Sequence, residues 1–117
     1  MNVVRVKPGV LFTVIAPGGF AILSALEYSA AELGEDITIT SACDGEHSGP
    51  DDPHHKGEAY DVRTHDLMTT EQKEDLLVAV ENELATRKVH GFYAFIEDPG
   101  TDNEHIHVQV AKGTTYP

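Results

Sequence analysis

Two short stretches of this chain hold residues whose types and spacing suit metal-assisted hydrolysis. One is His54-His55-Lys56-Gly57-Glu58-Ala59-Tyr60-Asp61 and the other is Glu104-His105-Ile106-His107. Together they offer two imidazoles, a carboxylate ligand and a spare carboxylate. A hydrolytic zinc centre uses such a set: three protein ligands, an open position for water, and a base. His105 and His107 are two apart on a predicted strand, so they share one face while Ile106 enters the opposite layer. Pro53 and Gly57 argue that His54 and Asp61 lie on a loop running into a strand rather than on a helix, with Gly57 bending the chain and Ala59 leaving room. Each stretch alone also fits a plainer role, as exposed loop histidines, a strand-capping Asp61, or an edge strand that tolerates histidine. Only in combination do they point to a metal.

Such residues need a scaffold to converge. Val10 to Ile15 is rich in β-formers and ends at Ala16-Pro17-Gly18-Gly19, which predicts a strand and a breaker. Phe20, Leu23, Leu26, Ala30 and Leu33 recur at helical spacing before Gly34, and predict a helix with one apolar face. Ile37 to Thr40 reads as a strand leading into a long loop, Ser41 to Pro53, followed by a short strand over Glu58 to Val62. Thr69 and Gln72 form a capping-box pattern ahead of the stripe Leu76, Leu77, Val80 and Leu84, predicting a second helix to about Arg87. Phe92 to Ile96 and His105 to Val110 complete the order β-α-β-loop-β-α-β-β. The expected architecture is α+β, one domain over residues 1–117, with a largely antiparallel sheet and two helices packed on it.

Composition narrows the function further. Eight Lys and Arg against 20 Asp and Glu give a formal charge of −12, which repels nucleic acid phosphates and anionic membranes, and no basic cluster offsets it. Neither nucleic acid binding nor membrane insertion is expected. Cys43 is the sole cysteine, so no internal disulfide or CxxC motif exists. Val10 to Ala16 is too short to cross a membrane and reads as a buried strand, not a signal peptide; export is expected through lysis or packaging in a particle.

HxxGxAxD followed by acid-x-x-His resembles the zinc D-Ala-D-Ala carboxypeptidase and L-alanoyl-D-glutamate endopeptidase family, whose fold is shared with the Hedgehog amino-terminal domain. The resemblance covers roughly Ile37 to Val110 and its texture is nearest to small bacteriophage-encoded members. It implies Zn2+ held by His54, Asp61 and His107, with Glu104 as general base and His105 beside the site, stabilising the transition state. The implied substrate is a peptidoglycan stem peptide, with phage particle proteins as partners and host cytoplasm or virion as location; the alternative is a non-catalytic virion component that keeps the fold. The segment Ser41 to His47 lacks the Arg that many carboxypeptidases use for the substrate carboxylate, so that role either falls to Arg63 or His47 or is absent, and Asp52 stands where many members have Ser. One geometric condition follows from strand alternation. In a regular strand Glu104 faces away from His105 and His107, so it serves as base only on an irregular start of that strand; Glu97 is the other acid within reach.

Overall fold

The computed structural model describes residues 2–45, 49, 51–64, 69–89 and 91–112. Its elements are β1 (Val4–Val6), α1 (Pro17–Leu33), β2 (Ile37–Ser41), β3 (Ala59–Arg63), α2 (Thr70–Thr86), β4 (Tyr93–Glu97) and β5 (His105–Gln109). The strands form one mixed sheet in the order β1-β2-β3-β5-β4, in which only β1 and β2 run parallel. The expected α+β order holds. No helix among the described residues is long and apolar enough to cross a membrane.

Sheet and helices divide the side chains by parity. Ile37 and Ile39 of β2, Tyr60 and Val62 of β3, and Ile106 and Val108 of β5 face the helices and are essentially solvent-free. They close a core with Ile22, Ala25, Leu26 and Ala30 of α1 and Leu76, Val80 and Leu84 of α2. Tyr60 is a packing residue, its ring 5.7 Å from that of Phe12. α2 starts as its sequence predicts: the Thr69 hydroxyl accepts from Gln72 N, and the Gln72 side chain accepts from Thr69 N.

Two expectations fail. The first strand is Val4–Val6, not Val10 to Ile15, because the backbone of the later segment bonds to loops instead of a strand. Leu11 O accepts from Cys43 N, and Ala16 N donates to Gly57 O, so the segment is a strap lying across the loop that carries His54. The buried face of α1 keeps Leu26 and Ala30 of the predicted stripe, with Leu23 and Leu33 packed at its edge, but is widened by Ala21, Ile22, Ala25 and Ser29, and Phe20 falls outside it at 58% exposed. The small residues on that face let the helix approach the sheet closely.

The strap and α1 fix the shape of the loop. Gly57 adopts φ +70°, and a Cβ there would lie 2.4 Å from Val14 O, so both backbone conformation and space demand glycine. From the helix side, a Cβ on Gly19 would fall 2.1 Å from Gly57 O. Gly19→Ala is therefore expected to push the loop outward and cost about 2 kcal/mol of stability. Thermal unfolding of the variant checks this; a melting temperature equal to wild type would show that the loop is not held by this contact.

Candidate metal centre

On the open face of the sheet, opposite the helices, β-pairing aligns side chains in two adjacent rows. Asp61 of β3 pairs with His107 of β5, which pairs with Phe95 of β4. One step along, Arg63 pairs with His105 and His105 with Glu97. The loop brings His54 over the first row. Its path is set by Asp52, whose side chain accepts from His54 N at 2.9 Å, and by turns closing on Asp52 and Pro53.

Three atoms converge there. His54 Nε2 lies 3.3 Å from both Asp61 Oδ1 and His107 Nδ1, and His107 Nδ1 lies 3.0 Å from Asp61 Oδ1. Each ring's other nitrogen has its own acceptor: His54 Nδ1 is 3.0 Å from Ala42 O, and His107 Nε2 is 2.6 Å from Gln109 Oε1. Assigning the tautomers from these partners places a proton on each outer nitrogen and leaves both inner nitrogens bare beside a carboxylate. Three lone-pair donors thus face one another in a nearly dry site, with all three residues less than a tenth exposed. A metal ion, or a proton on one of the inner nitrogens, satisfies that arrangement. Bonds of about 2.0–2.1 Å to a tetrahedral ion set its ligand atoms about 3.3 Å apart, close to the separations found. His54, Asp61 and His107 can hold a metal ion.

The titration behaviour expresses the same geometry. Burial works to raise the Asp61 pKa, but hydrogen bonds with His107 and His54 outweigh it and hold the carboxyl well below the usual range. For His107, burial favours the neutral ring, yet the hydrogen bonds to Asp61 and Gln109 prevail and its pKa is raised. A proton and a metal ion compete for one place, so acid weakens the metal.

His105 stands next to this triad, its Nε2 3.6 Å from Asp61 Oδ2 and 2.8 Å from Glu97 Oε1, while Nδ1 meets Asn103 O at 2.6 Å. Every one of these partners is an oxygen acceptor. Phe95 packs on His107 with ring centroids 5.3 Å apart, walling one side of the site.

Glu104 lies elsewhere, which corrects its expected role as base. It sits one residue before β5 but already obeys the strand's alternation, so its buried carboxylate points to the helix side. There it meets Lys73 Nζ of α2 at 2.6 Å, Thr64 Oγ1 at 2.9 Å and Gly100 N at 2.9 Å. The Lys73 contact, aided by Gly100, holds its pKa down at about 2 despite burial. Arg63 shares the open face with Asp61 and lines a hollow beside His105. His47, the other expected carboxylate-binding residue, lies outside the described residues, as do His65 and His90. Cys43 is buried against the strap, its Sγ 3.5 Å from Val14 O, and packs rather than ligates. Gln109 belongs to neither sequence motif, although its position two beyond His107 places it on the same strand face.

No family model, curated protein or solved structure matches the chain.

Proposed function

We propose that this protein is a zinc-dependent peptidase that cleaves peptidoglycan stem peptides, built on the fold of the Hedgehog and D-Ala-D-Ala peptidase proteins and acting within a phage lysis or entry apparatus. The observation that carries this reading is the convergence of His54 Nε2, Asp61 Oδ1 and His107 Nδ1 at 3.0–3.3 Å on an open sheet face. Two imidazoles with one carboxylate favour zinc over harder ions. Zinc in such a site lowers the pKa of a bound water toward neutrality and polarises a carbonyl. Ala42 and Gln109 keep the two ligand rings oriented. Glu97, on the same face and in contact with His105, takes the role that Glu104 cannot reach: it accepts the proton of the attacking water and returns it to the leaving amine. His105, held among oxygen acceptors, stabilises the negative charge that develops on the carbonyl oxygen.

The test is digestion of purified stem peptides by zinc-loaded protein, with products read by mass spectrometry. Chelated protein and His54→Ala are expected to give none. If zinc-loaded wild type also yields no product, the second reading takes over: a non-catalytic metal-binding component of a phage particle. One observation favours that second reading, the Lys73 clamp on the acid that the resemblance casts as base.

A further inference from the structure

The sheet ends at β1, two strands away from the metal centre's β3, and its outer edge is open. In the parallel pair with β2, Ile37 N donates to Val3 O at 3.0 Å and Lys7 N donates to Ile39 O at 2.9 Å. By alternation the peptide groups of Val3, Arg5 and Lys7 are taken up by β2, and those of Val4 and Val6 point away from the sheet. Among the described residues nothing bonds the N–H and C=O of Val4 and Val6. On the helix side of this edge lies an apolar cavity of 530 Å³, bounded by Val4, Val6 and Ile39 of the sheet, Phe12 and Ile15 of the strap, and Leu23 of α1. Strap and helix thus carry the apolar layer past the last strand. Asn2 and Glu27 are the polar residues on its wall, and both stay partly or fully in solvent. Val6 is 48% exposed.

We propose that this edge docks an extended segment of a partner protein, which adds as a sixth strand beside β1, with apolar side chains at alternate positions in the cavity and an acidic one between them on the other face. The free ladder asks for a backbone, since a small apolar molecule would fill the cavity and leave Val4 and Val6 unpaired. The cavity has the size of sites that enclose whole organic ligands, about 300–1,000 Å³, and so has room for two side chains about 6.6 Å apart along one strand face. Parity sets the rest. Val4 and Val6 line the helix-side cavity, whereas Lys7 lines a hollow on the open face, which Arg5 shares. Arg5 is balanced by Asp36 at 3.2 Å, and Lys7 has no ion pair with a described residue. In a chain of net charge −12, the edge is a local cationic place, and an opposite charge across the strand pair is favourable. The same two residues argue against a second copy of this chain. An antiparallel pairing that uses both Val4 and Val6 sets Arg5 directly against Arg5, between two chains that already repel. Charged residues on an edge commonly block such self-pairing. Pro8, without an N–H, ends the edge, so recognition is confined to the rungs at Val4 and Val6.

Fluorescence anisotropy of a labelled peptide of sequence Thr-Val-Glu-Val-Thr-Val, titrated with the whole chain, tests the edge. It is expected to bind about tenfold tighter than Thr-Thr-Glu-Val-Val-Val, which has the same composition but cannot place its valines on one strand face. Val6→Pro removes one outward N–H and leaves the bonds to β2, as proline on an edge strand allows. It should weaken binding about tenfold while the protein's melt stays cooperative. Two further peptides probe the ladder without touching the protein, one N-methylated on its valines and the other on the residues between. Only one of them should lose binding, because alternate nitrogens face β1. Lys7→Glu should reverse the preference for the glutamate peptide over Thr-Val-Lys-Val-Thr-Val. Equal binding of the alternating and the block-ordered peptide overturns the proposal, and so does full binding of both N-methylated peptides. Sedimentation that shows a dimer of this chain, abolished by Val6→Pro, would overturn it too and assign the edge to a second copy.

Discussion

Zinc added to metal-free protein is expected to raise its melting temperature by about 10 °C, and Asp61→Ala and His107→Ala are expected to abolish that rise. A ligand that binds only the folded state stabilises it by about 2.7 kcal/mol when present at a hundredfold its Kd. In a domain of this size each kcal/mol moves the midpoint by roughly 4 °C. The three ligand atoms come from the loop, β3 and β5, which are distant in sequence, so the unfolded chain offers no comparable site. Asp61 is the decisive member because it supplies the negative charge between two neutral rings. Its loss leaves two imidazoles facing each other 3.3 Å apart. The informative quantity is the zinc-induced shift in each variant, not the absolute midpoint, since removing Asp61 also changes the metal-free protein. His55→Ala is the control: His55 sits in the same loop, but its ring meets Gly45 O at 2.7 Å, away from the triad. A wild-type shift near zero, or one that survives in Asp61→Ala, would remove the metal centre.

How much of this could be read from the sequence depended on whether the governing physics was local. His105 and His107 share a face because strand alternation is a property of the backbone alone, and that part of the site was legible. The Gly57 turn was legible as a bend, but the reason for glycine was only half visible. Its second cause, Val14 O within 2.4 Å of any Cβ, needs the strap in place. The strap has the sequence of a strand because β-propensity records side chains that fit a pleated surface and says nothing of which backbone groups are free to pair. Val4–Val6 is hidden in the sequence for the converse reason: three residues, one of them Arg5, give too short a pattern, yet pairing with β2 makes them a strand. Glu104 shows a motif and a parity rule in conflict, and the parity rule prevailed.

Glu97→Gln is expected to lower turnover of a stem peptide by about 10²–10⁴-fold, the usual contribution of a positioned base, whereas Glu104→Gln should leave turnover nearly intact and lower stability instead. The separation follows from where each carboxylate points. Glu97 lies on the metal face, 2.8 Å from His105, which in turn reaches Asp61 at 3.6 Å. Glu104 is buried on the other face, where it ties β5 to α2 through Lys73. Glutamine keeps the size of the side chain and an acceptor for Thr64 and Gly100, but loses the ion pair, at a cost of about 2 kcal/mol for a buried charge left without its partner. The pH dependence identifies the cause. With Glu104 at about 2 in the folded chain against an ordinary 4.5, the folded state favours its ionised form. The stabilisation is complete above 4.5 and is lost as pH falls from there toward 2. The gap in stability between wild type and Glu104→Gln should therefore be constant near neutrality and close through that acid window, as measured by urea unfolding at a series of pH values. A gap that does not change with pH would mean that the substitution acts through packing and not through charge. If instead Glu104→Gln abolished turnover while Glu97→Gln preserved it, the loop from Asp98 to Asn103 would have to rearrange on substrate binding to swing Glu104 across the sheet, breaking its bonds to Lys73, Thr64 and Gly100 together.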